Sequence, residues 1–301
     1  TLERHGDEEG TQTLLNYFGK KCIEFSLEDA INQKFLTPYE YHPVVVYFEE
    51  DELEEYHMLS KEISRCIIKK NGKTELNERG KVLAQKRARV IAGAHAKIPK
   101  LAHEIKPFVN DNHILVYCGA TKISEQDDSG EDMRQIDVIT ELLGKELKMN
   151  VAQFTSNEDS ATRELLRKKF FDGDYLQALV AIKCLDEGVN IPAIKTAFIL
   201  ASTTNPKEYI QRRGRVLRKY PGKEFAIIYD FVTLPRPLDE AANLTIEEIS
   251  CEKTMVRNEV NRITEFKRLA LNRMESDKLI YDIIDTYHLN EEEEMEEIYY
   301  E

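Results

Sequence analysis

The feature that most restricts the fold of this chain is an alternation of short apolar runs with segments of helical periodicity after residue 112. The apolar runs predict strands buried on both faces, and the intervening segments predict crossover helices. This alternation is typical of an α/β fold with a parallel, doubly wound sheet, whose functional residues lie at the carboxyl ends of strands. The predicted strands are HILVYCGAT, VAQFTS, ALVAIK, TAFILAS and EFAIIYDF, and the predicted helices are Met133–Leu147, Ala161–Phe171 and Lys207–Arg218.

The rest of the chain divides into three parts around this sheet, which we assign to residues 112–236. Residues 1–45 contain turns and one strand but too little apolar surface to form a core alone, so we expect them to pack loosely. Residues 46–111 have helical periodicity and predict a helical linker region. Residues 237–301, which begin at a pair of prolines, predict a helical and acidic C-terminal extension.

A glycine-lysine-threonine triplet within KKNGKTELN is similar to the end of a phosphate-binding loop. The full pattern GxxxxGK(S/T) would require glycine at position 67, where this chain has Ile67. We therefore exclude a Walker A loop and predict a polar turn between two helices.

The net charge of −13 is unevenly distributed along the chain. From Pro237 to the end there are 18 acidic against 7 basic residues, which leaves 37 against 35 in the preceding part. Residues 1–236 are therefore nearly neutral and can present a basic face, so the total charge does not exclude a nucleic-acid partner.

Five scattered cysteines without a CxxC pair predict free thiols in a reducing cytoplasm and no metal site. No apolar run is long enough to predict a membrane span, and the polar first residues do not predict a signal peptide. We therefore expect a cytoplasmic protein without a membrane partner.

The segment NPKEYIQRRGRVLR, residues 205–218, predicts a helix with Asn205 as its cap. On this helix Gln211, Arg215 and Arg218 recur at spacings of four and three, which places them on one face. Two guanidinium groups on one face are suited to an anion. Gly214 lowers helix stability by about 1 kcal/mol relative to alanine, which suggests that another group lies close to the backbone at this position. The alternative interpretation is a solvated basic helix end.

Two patterns occur in order: LDEGVNIP, residues 185–192, and QxxGRxxR on the arginine helix. Together they resemble motifs V and VI of the superfamily 2 helicases. The resemblance implies a RecA-like (P-loop NTPase type) helicase C-terminal domain with helical extensions. It implies that Arg215 and Arg218 are catalytic arginine fingers and that Gly188, Asn190 and Gln211 bind ATP. The family most often has aspartate where this chain has Asn190.

The same resemblance implies contacts with the phosphates of one nucleic-acid strand, made by small hydroxyls and amides at strand ends. The residues at matching positions are Thr121, Thr155, Ser156 and Lys183. Such contacts do not read bases. We expect the partner to be DNA, with RNA not excluded.

The first residues, TLERHGDEEG, resemble the segment that follows a Ser-Ala-Thr motif in the prokaryotic DNA-repair and restriction helicases. Thr1 would then be the last residue of that motif, and residues 1–45 the tail of a truncated first motor domain. ATP and Mg²⁺ would be bound mainly by that missing N-terminal motor domain, which would also be an intramolecular partner. We therefore expect this chain to be inactive as an ATPase by itself.

Two other functions remain open at this point. The chain could belong to a motor subunit of a restriction or phage-defence complex, which would have the same fold. It could also be a non-enzymatic adaptor that binds nucleic acid. A paired set of arginine fingers favours an ATP-dependent helicase or translocase over the adaptor.

Overall fold

A computed structural model describes the conformation of most of the chain, and every structural statement below concerns the described residues. These are residues 8–19, 23, 25–70, 73–119, 122–123, 133–155, 158–173, 175–182, 191–201 and 206–289.

The described residues form helices and strands in the following order. The helices are α1 Glu8–Phe18, α2 Leu27–Asn32, α3 Glu50–Ser64, α4 Glu78–Gly93, α5 Lys97–Glu104, α6 Gln135–Glu141, α7 Ser160–Asp172, α8 Pro206–Val216, α9 Leu238–Ala241, α10 Ile246–Lys267 and α11 Asp277–Thr286. The strands are β1 Tyr39–Tyr47, β2 Ile67–Lys70, β3 Lys73–Leu76, β4 Ile114–Tyr117, β5 Lys122–Ile123, β6 Met133–Arg134, β7 Val151–Phe154, β8 Ala178–Ala181, β9 Thr196–Ile199 and β10 Ala226–Leu234.

Six of these strands form one parallel sheet in the order β1-β10-β9-β4-β8-β7. Helices connect β1 to β4, β4 to β7, β7 to β8 and β9 to β10, and they cover the sheet. The central strands β4, β8 and β9 are buried along their whole length, as expected for strands covered on both faces. The predicted parallel, doubly wound α/β fold of a RecA-like helicase domain is confirmed.

The strand β1 lies in this sheet, although the sequence placed most of it in a separate N-terminal segment. It pairs with β10 along nine residues, from Tyr39 opposite Ala226 to Tyr47 opposite Leu234. Tyr39 and Tyr41 are fully buried. The boundary expected after residue 45 therefore divides a strand, and residues 39–45 do not pack loosely. The proline at position 43 is tolerated because β1 is an edge strand.

The segment KKNGKTELN differs from its prediction. It is not only a polar turn between helices, because β2 and β3 pair antiparallel from Ile67 opposite Leu76 to Lys70 opposite Lys73. The hairpin forms because Cys66 and Leu76 at its base pack with Leu59 and Leu83 of the flanking helices α3 and α4. The alternation of apolar and polar residues that favours a strand is only a few residues long here, too short to outweigh the helical pattern around it.

The helices after residue 237 pack on the sheet and share its core. Ile249, Val256, Ile263 and Phe266 of α10 belong to the same buried cluster as side chains of β1, β8 and β10. Ile283 of α11 also joins this cluster. The acidic residues 290–301 lie outside the described residues. In the part of the chain that the structure describes, no helix is both long and apolar enough to cross a membrane.

Candidate functional site

The helix α8 carries three arginines, and Arg218 follows two residues after its end; two of these four side chains are buried and two are half-buried. Arg212 is 7% exposed and Arg213 is 0% exposed. Arg215 and Arg218 are half-buried, and Gln211 is exposed. The two buried arginines hold the helix in place. Because α8 ends at Val216, short of the predicted end at Arg218, the shared face of Gln211, Arg215 and Arg218 stays a prediction.

Arg213 connects α8 to the C-terminal helix α10 and to β1. Its guanidinium donates hydrogen bonds to the carboxylate and to the main-chain carbonyl of Glu265, each at 2.7 Å. It also donates to the hydroxyl of Tyr39 at 3.2 Å, and it lies 5.0 Å from the centroid of the Phe266 ring. Tyr39 in turn donates to the carbonyl of Phe266. Because a buried charge requires such partners, Arg213 fixes the position of α8 against α10.

The sequence did not predict a structural or functional role for Arg213. One signal was available, since Arg213 lies three residues after Ile210 and four before Leu217, on the apolar side of the helix. An arginine at such a position must be satisfied by partners from elsewhere in the fold. Helical periodicity indicates that burial but does not identify the partners.

Arg212 attaches the other side of α8 to the centre of the sheet. Its guanidinium lies 4.7 Å from the centroid of the Tyr117 ring at the end of β4. It also donates to the carboxylate of Glu208 at 3.3 Å and to the carbonyl of Ala201 at 3.5 Å. The start of α8 is therefore held at the carboxyl end of β4.

The half-buried pair of arginines lies close enough for the two charges to interact. Burial, and then the positive charge of Arg215, lower the pKa of Arg218 below its ordinary value. The end of the helix is fixed by Lys223, whose ammonium donates to the carbonyls of Val216 and Arg218. An isolated antiparallel bridge joins Arg218 to Leu36. Two neighbouring guanidinium groups at the fixed end of a helix form a site that an anion would stabilise.

The close approach expected at Gly214 is not found among the described residues. A Cβ atom at this position would lie 3.7 Å from Cδ1 of Leu27 in α2, which is an ordinary van der Waals distance. The helix therefore has room for a small side chain at this position.

Of the residues predicted to contact nucleic acid, the structure describes Thr155. It follows the carboxyl end of β7, as the fold predicts. Its amide donates to Glu158 at 2.5 Å, and its hydroxyl donates to the same carboxylate at 3.1 and 3.0 Å. This carboxylate must move away, or be exchanged for a phosphate, before the hydroxyl can contact nucleic acid.

The remaining predicted site residues lie outside the described part of the chain. They are Thr121, Ser156, Lys183, Gly188 and Asn190, so the whole predicted nucleotide contact of motif V belongs to this group.

A buried lysine supports the end of β9, just before the connection to α8. Lys97 in α5 is 1% exposed, and its ammonium donates to the carbonyl of Leu200 at 2.7 Å and of Ile91 at 2.6 Å. Burial lowers the pKa of Lys97 to about 7, although Glu259 opposes the shift. The sequence analysis did not identify this lysine.

Lys97 borders a buried charged network between β10 and α10. Arg262 donates to Asp230 at 2.9 Å and to both carboxylate oxygens of Glu259 at 2.7 Å. The hydroxyl of Tyr41 donates to the same Asp230 at 3.0 Å. These contacts join β1, β10 and α10, so the C-terminal extension and the sheet form one charged and apolar interface.

Among the described residues, no group of three or more histidine, cysteine, aspartate or glutamate side chains could hold a metal ion. The anionic groups near α8 are already in ion pairs with Arg212 and Arg213.

Residues 96–220 match the family described as "Helicase conserved C-terminal domain". The chain is 37% identical over 79 residues to the DNA 3'-5' translocase XPB2 of Sulfurisphaera tokodaii. That alignment covers 26% of this chain and only 17% of the relative.

Two solved structures illustrate the structural similarity. The C-terminal part of the Fun30 ATPase domain is 14% identical with a TM-score of 0.46, over 85% of this chain and 100% of that chain. The Sulfolobus solfataricus SWI2/SNF2 ATPase core in complex with dsDNA is 11% identical with a TM-score of 0.45, over 77% of this chain and 50% of that chain. Residues 96–220 are therefore similar to helicase conserved C-terminal domains, and they include the QxxGRxxR pattern of residues 211–218.

Proposed function

We propose that this chain acts as the C-terminal half of an ATP-dependent DNA helicase or translocase. The observation that carries the proposal is the pair of half-buried arginines, Arg215 near the end of α8 and Arg218 two residues beyond that end. The relative from Sulfurisphaera tokodaii is named as a DNA translocase, which favours DNA as the nucleic acid that this chain binds. The matched region is a small part of that relative, so the activity of the whole protein is our proposal.

The chemistry assigned to Arg215 and Arg218 is stabilisation of negative charge. Phosphoryl transfer from ATP needs charge neutralised on the equatorial oxygens of the γ-phosphoryl group, and a guanidinium can donate two parallel hydrogen bonds to such oxygens. Burial and the positive charge of Arg215 lower the pKa of Arg218, and an anion between the two groups would counter both effects. Arg212 and Arg213 hold α8 rigid, so the half-buried pair needs little reorganisation to meet a phosphate.

The chain does not itself provide a site for ATP and Mg²⁺. Its sequence has no GxxxxGK(S/T) loop, and the described residues contain no cluster that fits a metal ion. We therefore assign both groups mainly to an N-terminal motor domain of the same protein. When bound there, ATP would supply the phosphoryl group and Mg²⁺ would neutralise part of its charge. This chain supplies the arginines, with Gly188, Asn190 and Gln211 as further contacts to ATP.

The nucleic-acid strand is assigned to the loops at the carboxyl ends of the strands. Thr121, Thr155, Ser156 and Lys183 would contact its phosphates, so binding would not depend on base sequence. Because the hydroxyl of Thr155 donates hydrogen bonds to Glu158, its contact with the strand would depend on the position of that carboxylate. The loop would release the strand when the carboxylate occupies the hydroxyl and bind it when the carboxylate has moved.

The proposal is tested in a protein that contains this chain together with its N-terminal motor domain. Arg215→Ala and Arg218→Ala should each lower the DNA-stimulated ATPase rate by roughly a thousandfold or more, the usual contribution of an arginine finger. Lysine at either position should restore little activity, because an ammonium cannot form the planar two-pronged contact. Arg79→Ala is a matched control, since that side chain is 74% exposed and lies on α4.

DNA affinity measured without nucleotide should be nearly the same in these variants. Near-normal ATP turnover combined with weakened DNA binding would contradict the proposal. That result would show that the helix is a basic surface for phosphates of the strand, as in a non-enzymatic adaptor.

A further inference from the structure

A cavity of about 580 Å³ lies between the loop that follows α2 and the residues that follow α8. Two backbone contacts hold its sides together. Thr37 donates its amide hydrogen to the carbonyl of Leu217 at 2.8 Å, and Leu36 forms the isolated bridge with Arg218. The cavity therefore adjoins the end of the arginine helix, but none of the residues assigned above to ATP or to nucleic acid lines it.

The charges around this cavity are mainly positive. Lys34, Lys219 and Lys223 line it, against one carboxylate, Glu224. Among the described residues, neither Lys34 nor Lys219 forms an ion pair. Burial, and then the charge of Lys195, lower the pKa of Lys223 to about 7. A negative group in the cavity would counter the burial of Lys223 and would pair with Lys34 and Lys219.

A buried hydroxyl in the wall of the cavity also has no partner. Thr37 is 3% exposed, and its Oγ1 atom makes no hydrogen bond to any described residue. Buried polar groups in native proteins are nearly always paired, so an unpaired donor beside a cavity indicates a missing acceptor. Rotation of the Thr37 side chain would bring this hydroxyl to a phosphate or carboxylate oxygen in the cavity that Thr37 lines.

The rest of the lining is apolar and includes one aromatic ring. Ile31, Leu36 and Pro38 line one side, and Tyr220 lines the other. The hydroxyl of Tyr220 donates to the carbonyl of Phe171 at 2.7 Å, and the two rings pack edge to face with centroids 5.1 Å apart. The ring of Tyr220 is therefore held in one position and offers a fixed apolar surface.

A second cavity of about 520 Å³ lies next to the first and shares Lys223 and Glu224 with it. Its lining adds one further lysine, Lys195, and one further carboxylate, Asp111, so its positive and negative side chains balance. It therefore has no preference for an anion, and the larger cavity is the better candidate for a charged ligand.

We propose that the cavity beside α8 binds a small amphipathic anion. A phosphate or carboxylate group would accept hydrogen bonds from Thr37, Lys34 and Lys219, and an aromatic or aliphatic body would pack against Tyr220 and Leu36. The chemistry shared by the candidate ligands is one anionic head on an apolar body.

A ligand bound in this cavity would affect the end of α8 through two contacts already described. Lys223 donates to the last carbonyls of α8, and Leu36 pairs with Arg218. A ligand that holds Lys223 in its charged form strengthens the first contact, and one that packs on Leu36 strengthens the second. The bound anion would therefore stabilise the end of α8.

The test uses the 301-residue chain and three probes: phenyl phosphate, benzoate and inorganic phosphate. Calorimetric titration should show saturable binding of phenyl phosphate or benzoate, about tenfold or more tighter than that of inorganic phosphate, because the apolar body adds buried surface. Preference for phenyl phosphate would indicate a phosphate ester as the natural ligand, and preference for benzoate would indicate a carboxylate.

Three substitutions locate the binding in the cavity. Thr37→Val, Lys34→Gln and Lys219→Gln should each weaken binding about threefold to tenfold. Lys278→Gln is the matched control, because this exposed lysine lies on α11, away from the cavity. Hydrogen exchange should slow on binding in peptides that contain Leu36 and residues 216–224.

The proposal is overturned if neither organic anion binds saturably, if inorganic phosphate binds as tightly as both, or if Lys278→Gln weakens binding as much as Lys219→Gln does. Thermal unfolding of each variant confirms that it is folded, so that a loss of binding can be assigned to the cavity. No ATP turnover is measured, so the outcome does not depend on the function proposed for Arg215 and Arg218.

Discussion

Replacement of Arg213 by methionine should destabilise the chain by about 3 kcal/mol, near the lower end of the range for breaking a buried ion pair. The guanidinium is 0% exposed and donates to the carboxylate of Glu265, to its carbonyl and to the hydroxyl of Tyr39. Methionine fills a similar volume, so the loss of packing is small. The Glu265 side chain is 23% exposed and regains some hydration, which keeps the cost low in the range.

Urea unfolding of the 301-residue chain, followed by circular dichroism, measures this cost. Arg79→Met is the control, because the pair of Arg79 with Glu62 is exposed and should contribute about 1 kcal/mol or less. A double-mutant cycle with Glu265→Gln should give a coupling energy of at least about 1 kcal/mol between the two side chains.

The result that would refute this reasoning is an Arg213→Met variant that unfolds at the same urea concentration as Arg79→Met. The contacts to Glu265 and Tyr39 would then contribute no net stability. Arg213 could in that case be a functional arginine like its half-buried neighbours, and α10 would not be needed to position α8.

Three further predictions follow from the site and its surroundings. Lys97→Met should remove the part of the pH dependence of the unfolding free energy that comes from Lys97. Between pH 7 and pH 10.5 the unfolded chain keeps a proton that folded Lys97 has lost, so the contribution of this lysine to wild-type stability rises by about 1.4 kcal/mol per pH unit. Urea unfolding at pH 7 and pH 9 checks this. An equal change in unfolding free energy between the two pH values in the wild type and in the variant would contradict it. Gly214→Ala should stabilise the chain by about 0.5–1 kcal/mol, because the added Cβ meets only Leu27 at an ordinary distance; a lower melting temperature would reveal an unrecognised close contact. The chain alone should hydrolyse no ATP above background, since it has no Walker A loop, and saturable turnover that a substitution within the chain abolishes would show that a phosphate loop was missed.

The sequence was sufficient to predict the sheet and the helix of the site, because both depend on local periodicity. The apolar runs around β4 and β8 correspond to buried strands, and the helical pattern after Pro206 corresponds to α8. The helix ends at Val216 and not at Arg218, so the common face of Gln211, Arg215 and Arg218 stays a prediction. Each of these features can be recognised within about fifteen residues of sequence.

The features that the sequence analysis missed are contacts between distant segments. The edge strand β1 pairs with β10, and Arg213 pairs with Glu265. Local periodicity does not specify such partners: it indicates that Arg213 is buried, but it does not identify the carboxylate that pairs with it. The proposed nucleotide contacts of Gly188 and Asn190 stay predictions, because they lie outside the described residues.

The position of β1 at the edge of the sheet has a consequence for how the protein folds. Its partner β10 is the last strand of the sheet in the chain, so β1 is synthesised first and paired last. At roughly 5–20 residues per second, β1 would wait on the order of 10–40 s on the ribosome for its partner. During that time its valine-rich segment, from Val44 to Val46, is an unpaired strand that can join other chains. A fragment that starts at residue 46 would have the complementary weakness, an uncovered β10 edge, and we expect it to aggregate where the 301-residue chain does not.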